Sequence, residues 1–371
     1  MMVRFSNYMK RKRCVLLFVL LLLSSVRTHS AEIPEAMMNV VRDRVDSGKT
    51  VGMVVGLVDA HGVSYYGYGK MAESDDRVPG KDTVFEIGSI SKVFTATLLA
   101  DAVSRGEVRY EDSIETYLPK DVKVRGDSGA LITMESLSVQ NSGLPRLPKN
   151  LRPKDPKNPY ADYSVEDMYK ALSRLRVKRE VGEAYEYSNF GVGLLGHLLE
   201  RSSGLTYEEL VVERIATVLG MPETRITLSD DMKSRLAKGH ADGKEVPNWD
   251  LPALAGAGAI RSTAQDMIVF LEANMGLRES SLHESMVETH LPRAQAGHDV
   301  MQIGLGWHIL TPETGPAITW HNGGTGGYRS FAGFTQDPLM GVIVLTNSSG
   351  AGDDDIGFHL LNDSLPLAPS P

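Results

Sequence analysis

Apolar side chains at Ile33, Met37, Val40, Val41 and Val45 recur at helical spacing, so the segment from Ile33 to Val45 is expected to be a helix. TVGMVVGLVDAHGVSYYGYGKM then gives two β-rich runs around a glycine-containing turn, the pattern of a hairpin. Near the other end PAITWHNGG, YRSFAGFTQD and MGVIVLTNSS predict three more strands, the last two joined at Asp337-Pro338. DIGFHLLNDSL predicts a short helix, and PLAPSP a flexible tail. The long middle differs. VFTATLLADAVSRG, SVEDMYKALSRLRV, GVGLLGHLLERSSG, YEELVVERIATVLG and TAQDMIVFLEANMG each have helical periodicity, and most end near glycine. Strands at both ends with helices between predict an α/β fold: one antiparallel sheet from both termini, flanked by terminal helices, with a large helical insertion. The expected sheet part covers about 31–80 and 296–364, the helical part about 81–295 and the tail 365–371. A cleft between sheet and insertion is the default place for a site.

The first thirty residues have a different character. Arg4, Lys10, Arg11, Lys12 and Arg13 form a basic n-region before CVLLFVLLLLSSV, an uncharged run shorter than the roughly 20 residues a spanning helix needs. Thr28 and Ser30 place small residues where a signal peptidase reads, so residues 1–30 are expected to be a signal peptide cleaved after Ser30 or Ala31. The product is a secreted or periplasmic protein with no stable membrane association. Cleavage also removes Cys14, the only cysteine, which excludes disulfides, thiolate metal sites and a cysteine nucleophile. The whole chain has a net charge of −8, and residues 1–30 hold six basic and no acidic side chains, so the remainder carries −14. A chain that acidic, without a basic block, repels nucleic acid and anionic membrane. A small-molecule substrate, no nucleic acid, no cofactor, no metal and a monomeric chain are the expectation.

Several motifs lead nowhere. GDSG at 126–129 is followed by Ala130 rather than glycine, and Ser128 is expected in a turn. HESMVETH at 283–290 has Val287 where a zinc-binding helix needs its second histidine, and is expected to be a solvated helix face. No G-x-S-x-G, phosphate loop or dinucleotide fingerprint is present.

FEIGSISKVFTA at 85–96 survives because Ser89 and Lys92 are one helical turn apart on one face. At a helix N-terminus the Ser89 hydroxyl meets the positive end of the dipole, and a partly desolvated lysine can take its proton. YSNFGVGLLG adds Tyr187, a second acid/base, and Asn189, an amide able to hold the lysine and a substrate carbonyl. WHNGGTGGYRSF puts His321 at a strand start, with Asn322, Gly323 and Gly324 behind it. The Gly324 and Ser89 N–H groups could then form an oxyanion hole.

These three motifs in this order resemble the penicillin-recognising serine hydrolases related to class C β-lactamases, a group with DD-carboxypeptidases and carboxylesterases. SGLP at 142–145, GAGAIRSTAQDM at 256–267 and GLGW at 304–307 are also similar to segments of that family. The resemblance implies the β-lactamase/DD-peptidase fold, Ser89 as the acylated nucleophile, Lys92 and Tyr187 as proton carriers, and Asn189, His321, Asn322, Gly323 and Gly324 as substrate-binding residues. His321 and Asn322 stand where the lactamases have lysine and threonine, which weakens attraction for a substrate carboxylate. Arg329 could restore that charge. The resemblance therefore implies β-lactam hydrolysis first, with D-Ala-D-Ala carboxypeptidase or small-ester activity as alternatives. A penicillin sensor or wall-binding pseudoenzyme without turnover is the alternative of another class.

Overall fold

The computed structural model describes residues 31–126, 131–177, 179–350 and 352–368. The expected signal peptide and the turn expected at Ser128 lie outside the described residues. Helix α1 (Glu35–Asp46) leads into strands β1 (Gly52–Asp59) and β2 (Gly62–Gly69). The region between the two halves of the sheet includes the helices α2 (Ser91–Ser104), α3 (Val165–Arg174), α4 (Asn189–Ser203), α5 (Ala264–Met275) and α6 (His283–His290). The chain returns through β3 (Ala294–Gln295), β4 (Met301–Ile303), β5 (His308–Leu310), β6 (Ile318–Gly324), β7 (Arg329–Gln336) and β8 (Leu339–Thr346), and closes with α7 (Asp354–Leu361).

These eight strands form one antiparallel sheet in the order β2-β1-β8-β7-β6-β5-β4-β3. The expected architecture is therefore present. β1 pairs with β8 from Met53 opposite Thr346 to Asp59 opposite Met340, so the sheet's middle joins the two ends of the chain. β1 is apolar on both faces because both are covered. Alternation sends Met53, Val55 and Leu57 toward a core shared with Met37, Val41 and Ile356 of the terminal helices. Val54 and Val58 point the other way, into the core shared with Ile268 and Leu271 of α5.

α2 is apolar around its circumference and accordingly buried at twelve positions from Ser91 to Ala102. Phe94 on α2 stacks on Phe270 of α5 with ring centroids 4.2 Å apart, tying the insertion to the helix that covers the sheet. The segment at 283–290 corrects an expectation. Its Ser285, Met286 and Thr289 are buried, and His290 bonds Asn274 Oδ1 at 2.8 Å, so only part of that helix meets solvent.

Gly357 shows how closely the terminal helix docks. A Cβ there would overlap the Phe331 ring of β7. Glycine-to-alanine in a helix ordinarily stabilises by roughly 1 kcal/mol. Here the sign should reverse, because overpacking a filled core costs about 1–3 kcal/mol. Gly357→Ala is thus expected to lower Tm in thermal unfolding followed by circular dichroism, and a higher Tm would contradict this packing.

Candidate active site

Ser89 sits in a single 3-10 turn, Gly88–Ile90, immediately before α2 begins at Ser91. The sequence places it in the first turn of the α-helix itself; in the structure the turn is tighter and lies against the end of β6. Gly88 has φ +50°, and a Cβ there would come 2.6 Å from Gly324 N, so only glycine lets the two backbones approach. Ser330 Oγ donates to Ile87 O at 2.8 Å and pins the same crossing from β7. This crossing sets the Ser89 turn against the end of the HNGG strand.

The spacing of three residues survives the change of helix type. Lys92 Nζ is 2.9 Å from Ser89 Oγ, and the lysine is 1% exposed. Burial, reinforced by the charge of Arg146, holds the Lys92 pKa well below the ordinary lysine value. Nζ donates to Ala257 O at 2.6 Å. A neutral amine that donates there can keep its lone pair for the Ser89 hydroxyl, the arrangement a general base requires. Asn189 does not hold the lysine as expected, since its Oδ1 is buried without a hydrogen-bond partner. Ser91, the neighbouring serine, is fully buried and its Oγ accepts from Ile260 N at 3.1 Å.

Tyr187 and Asn189 flank Ser188, which caps α4 by accepting from Gly191 N at 2.8 Å. Gln140 Oε1 accepts from Ser188 N at 2.7 Å, and Ser188 Oγ donates to Pro145 O at 2.7 Å, so the YSN turn is fixed from two sides. Burial holds the Tyr187 phenol well above its usual pKa, with Ser89 and Arg146 opposing, so it is protonated at neutral pH. Lys92 Nζ and Arg146 Cζ each lie 4.9 Å from the centre of the Tyr187 ring.

His321 departs from expectation. It lies in the middle of β6, is 1% exposed, and its Nδ1 bonds Asn322 O at 2.6 Å. Its ring is 5.2 Å from His308 and 6.1 Å from Tyr187, behind the cleft surface. Burial, and then His308 and Lys92, hold its pKa well below the usual value, and burial with Lys92 lowers His308 to about 4. Both rings are neutral at pH 7. Asn322 faces the cleft with Nδ2 donating to Asp354 Oδ2 at 2.6 Å, beside Gly323 and Gly324.

Ser89, Tyr187, Asn189, Asn322, Gly323 and Gly324 line one cleft of about 490 Å³, a size suited to a small organic substrate. Arg146 and Arg329, both exposed, are the cations on its wall, and Arg329 Nε donates to Ser349 O at 3.0 Å. Tyr160 and Trp249, packed edge to face at 5.3 Å, form an aromatic side. Sequence reasoning missed Arg146, Tyr160, Trp249 and His308. Arg146 directly follows the SGLP segment and was within reach; the two aromatics stand in irregular loops without periodicity.

The Arg146 charge opposes protonation of Lys92 in this geometry. Arg146→Ala should therefore raise the lysine pKa and move the acid limb of the kcat/KM profile to higher pH. The rate is expected to fall several-fold on the acid side of the profile, and Arg146→Lys should restore it. An unmoved limb would leave Arg146 a surface charge only.

The beta-lactamase family model matches residues 37–364. The D-alanyl-D-alanine-carboxypeptidase/endopeptidase AmpH of Escherichia coli (strain K12) is 28% identical over 359 residues, covering 91% of this chain and 92% of that protein. A beta-lactamase of Pseudomonas fluorescens is 26% identical over 354 residues, covering 86% and 95%. The solved class C beta lactamase from Rhodobacter sphaeroides superposes with a TM-score of 0.77 at 22% identity, over 90% of this chain and 100% of that one.

Proposed function

The chain belongs to the beta-lactamase family, and from that membership we propose a secreted serine hydrolase that opens β-lactam rings through an acyl-enzyme on Ser89. The observation that carries the reading is the buried, depressed-pKa Lys92 with Nζ 2.9 Å from Ser89 Oγ. Ser89 Oγ attacks the carbonyl while its proton passes to Lys92, and the Ser89 and Gly324 N–H groups receive the oxyanion. The Tyr187 phenol gives its proton to the leaving nitrogen. In the second half the Tyr187 phenolate takes a proton from water, the hydroxide attacks the ester, and protonated Lys92 returns its proton to Ser89 Oγ. Every group ends as it began. Asn189 Oδ1, unpartnered at the cleft, accepts an N–H of the substrate.

A second reading, D-Ala-D-Ala carboxypeptidase, draws on His321: its neutral, buried ring offers no charge for a carboxylate, leaving Arg329 to supply one. One panel separates them. Nitrocefin, a D-Ala-D-Ala peptide and a short-chain nitrophenyl ester are compared by kcat/KM, with mass spectrometry following the Ser89 adduct. Nitrocefin should give the largest value and a transient adduct. Turnover of the peptide alone selects the second reading, and a persistent penicillin adduct without product release marks a sensor.

A further inference from the structure

A second cavity lies behind the YSN turn, and its chemistry differs from that of the catalytic cleft. It holds about 580 Å³, and Phe190 and Leu175, both buried, form its apolar base. Its rim carries Lys149, Arg152, Arg174 and Arg176, and among the described residues no carboxylate lines it. Among the described residues, none of these four cations has a carboxylate oxygen within ion-pair distance. Arg152 Nη1 donates only to the carbonyls of Leu151 and Lys149, at 2.7 and 3.0 Å. Arg174 stands in the last turn of α3, where a cation also complements the helix dipole, but the other three have no such helical role. Four like charges around one hollow repel each other in a chain whose net charge is −14 beyond residue 30.

The geometry points to a binding site for a small amphiphilic oxyanion, an aryl or alkyl phosphate, with its apolar part on Phe190 and Leu175 and its phosphate among the three arginines. Guanidinium forks match phosphate oxygens in pairs, and a dianion relieves the mutual repulsion of the rim. The site is separate from the catalytic cleft. The wall between them is the paired backbone of Pro145-Arg146 and Ser188–Phe190, where Phe190 N donates to Arg146 O at 3.2 Å. Asn189 faces the cleft while the next residue, Phe190, faces this cavity. The inference does not depend on the reaction proposed above.

Phenyl phosphate is the probe, titrated calorimetrically into the signal-cleaved protein at low salt. Saturable binding with Kd near or below about 1 mM is expected, weakening as salt is added. Inorganic phosphate should bind about tenfold more weakly for want of the apolar contact. Combining Arg152→Ala, Arg174→Ala and Arg176→Ala, all at exposed positions, should weaken phenyl phosphate at least about tenfold. Arg329→Ala in the catalytic cleft should leave Kd within about twofold. No saturation by about 20 mM overturns the inference. So does binding lost with Arg329→Ala but kept in the triple variant, which would put the anion in the catalytic cleft. Cosedimentation with phosphatidylglycerol vesicles without saturable phenyl phosphate binding would also overturn it, in favour of a membrane contact.

Discussion

Ser89→Ala is expected to lower kcat for nitrocefin by about 10⁴- to 10⁶-fold and to abolish the acyl adduct seen by mass spectrometry. The residual rate would come from the oxyanion donors and the cleft, which the substitution leaves in place. Ser91→Ala supplies the contrast, because the two serines are neighbours with opposite duties. Ser89 opens on the cleft, whereas Ser91 is fully buried with its Oγ accepting from Ile260 N. Losing that acceptor strands a buried N–H, a cost of about 1–3 kcal/mol in stability. Activity at 25 °C should stay within about threefold, since residue 91 points away from the nucleophile. A comparable loss of turnover from both would remove Ser89 from its assigned role.

Lys92 should show the second largest effect. Lys92→Ala removes the group beside Ser89 Oγ, and acylation is expected to slow by about 10³- to 10⁴-fold. Lys92→Arg is the sharper test. A guanidinium keeps its charge at any working pH, so it can stand near the oxyanion but cannot accept the serine proton. If the amine acts neutral, arginine rescues nothing; if a fixed positive charge were the requirement, arginine would recover much of the rate. The wild-type pH profile carries the same information. With the lysine pKa held down by burial and then by Arg146, the active free amine predominates above that lowered pKa. The acid limb of kcat/KM should therefore lie far below the ordinary lysine range, activity being lost as pH falls through it. Single-turnover rates across the acid range in both proteins measure this. An acid limb left in the ordinary lysine range would mean that Lys92 is protonated in the resting enzyme.

The periodicities near both termini made the sheet legible, because strands covered on both faces read as continuous apolar runs and α2 as a helix apolar all round. The spacing of Ser89 and Lys92 was legible for a like reason: the separation of three holds in a 3-10 turn as in an α-helix. What sequence could not give is set by contacts between distant segments. Lys92 finds its acceptor in Ala257 O, a backbone atom whose role the side chains of its segment do not reveal. His321 looked like a cleft residue because its neighbours are, but alternation along β6 turns it inward while Asn322 faces out. Tyr160 and Trp249 meet through contacts between distant loops: Glu86, paired with Arg261, accepts from Trp249 N at 3.0 Å, and Trp249 Nε1 donates to Lys157 O at 3.0 Å.

The pairing of β1 with β8 has a consequence for the order of events during synthesis. A nascent chain presents Met53–Asp59 early and waits for nearly its full length before Met340–Thr346 can lie alongside. Closing so wide a loop is slow, and until then a largely apolar strand has no partner on that edge. The Ser89 turn is in the same position, since the strand end that packs on Gly88 is also made late. No prefix of this chain can therefore be a working enzyme, and ribosome-bound intermediates lacking β8 should remain sensitive to protease throughout. Under the export proposed for this chain, a centre that locks only with its last strand would keep the polypeptide pliable for passage through a translocation channel.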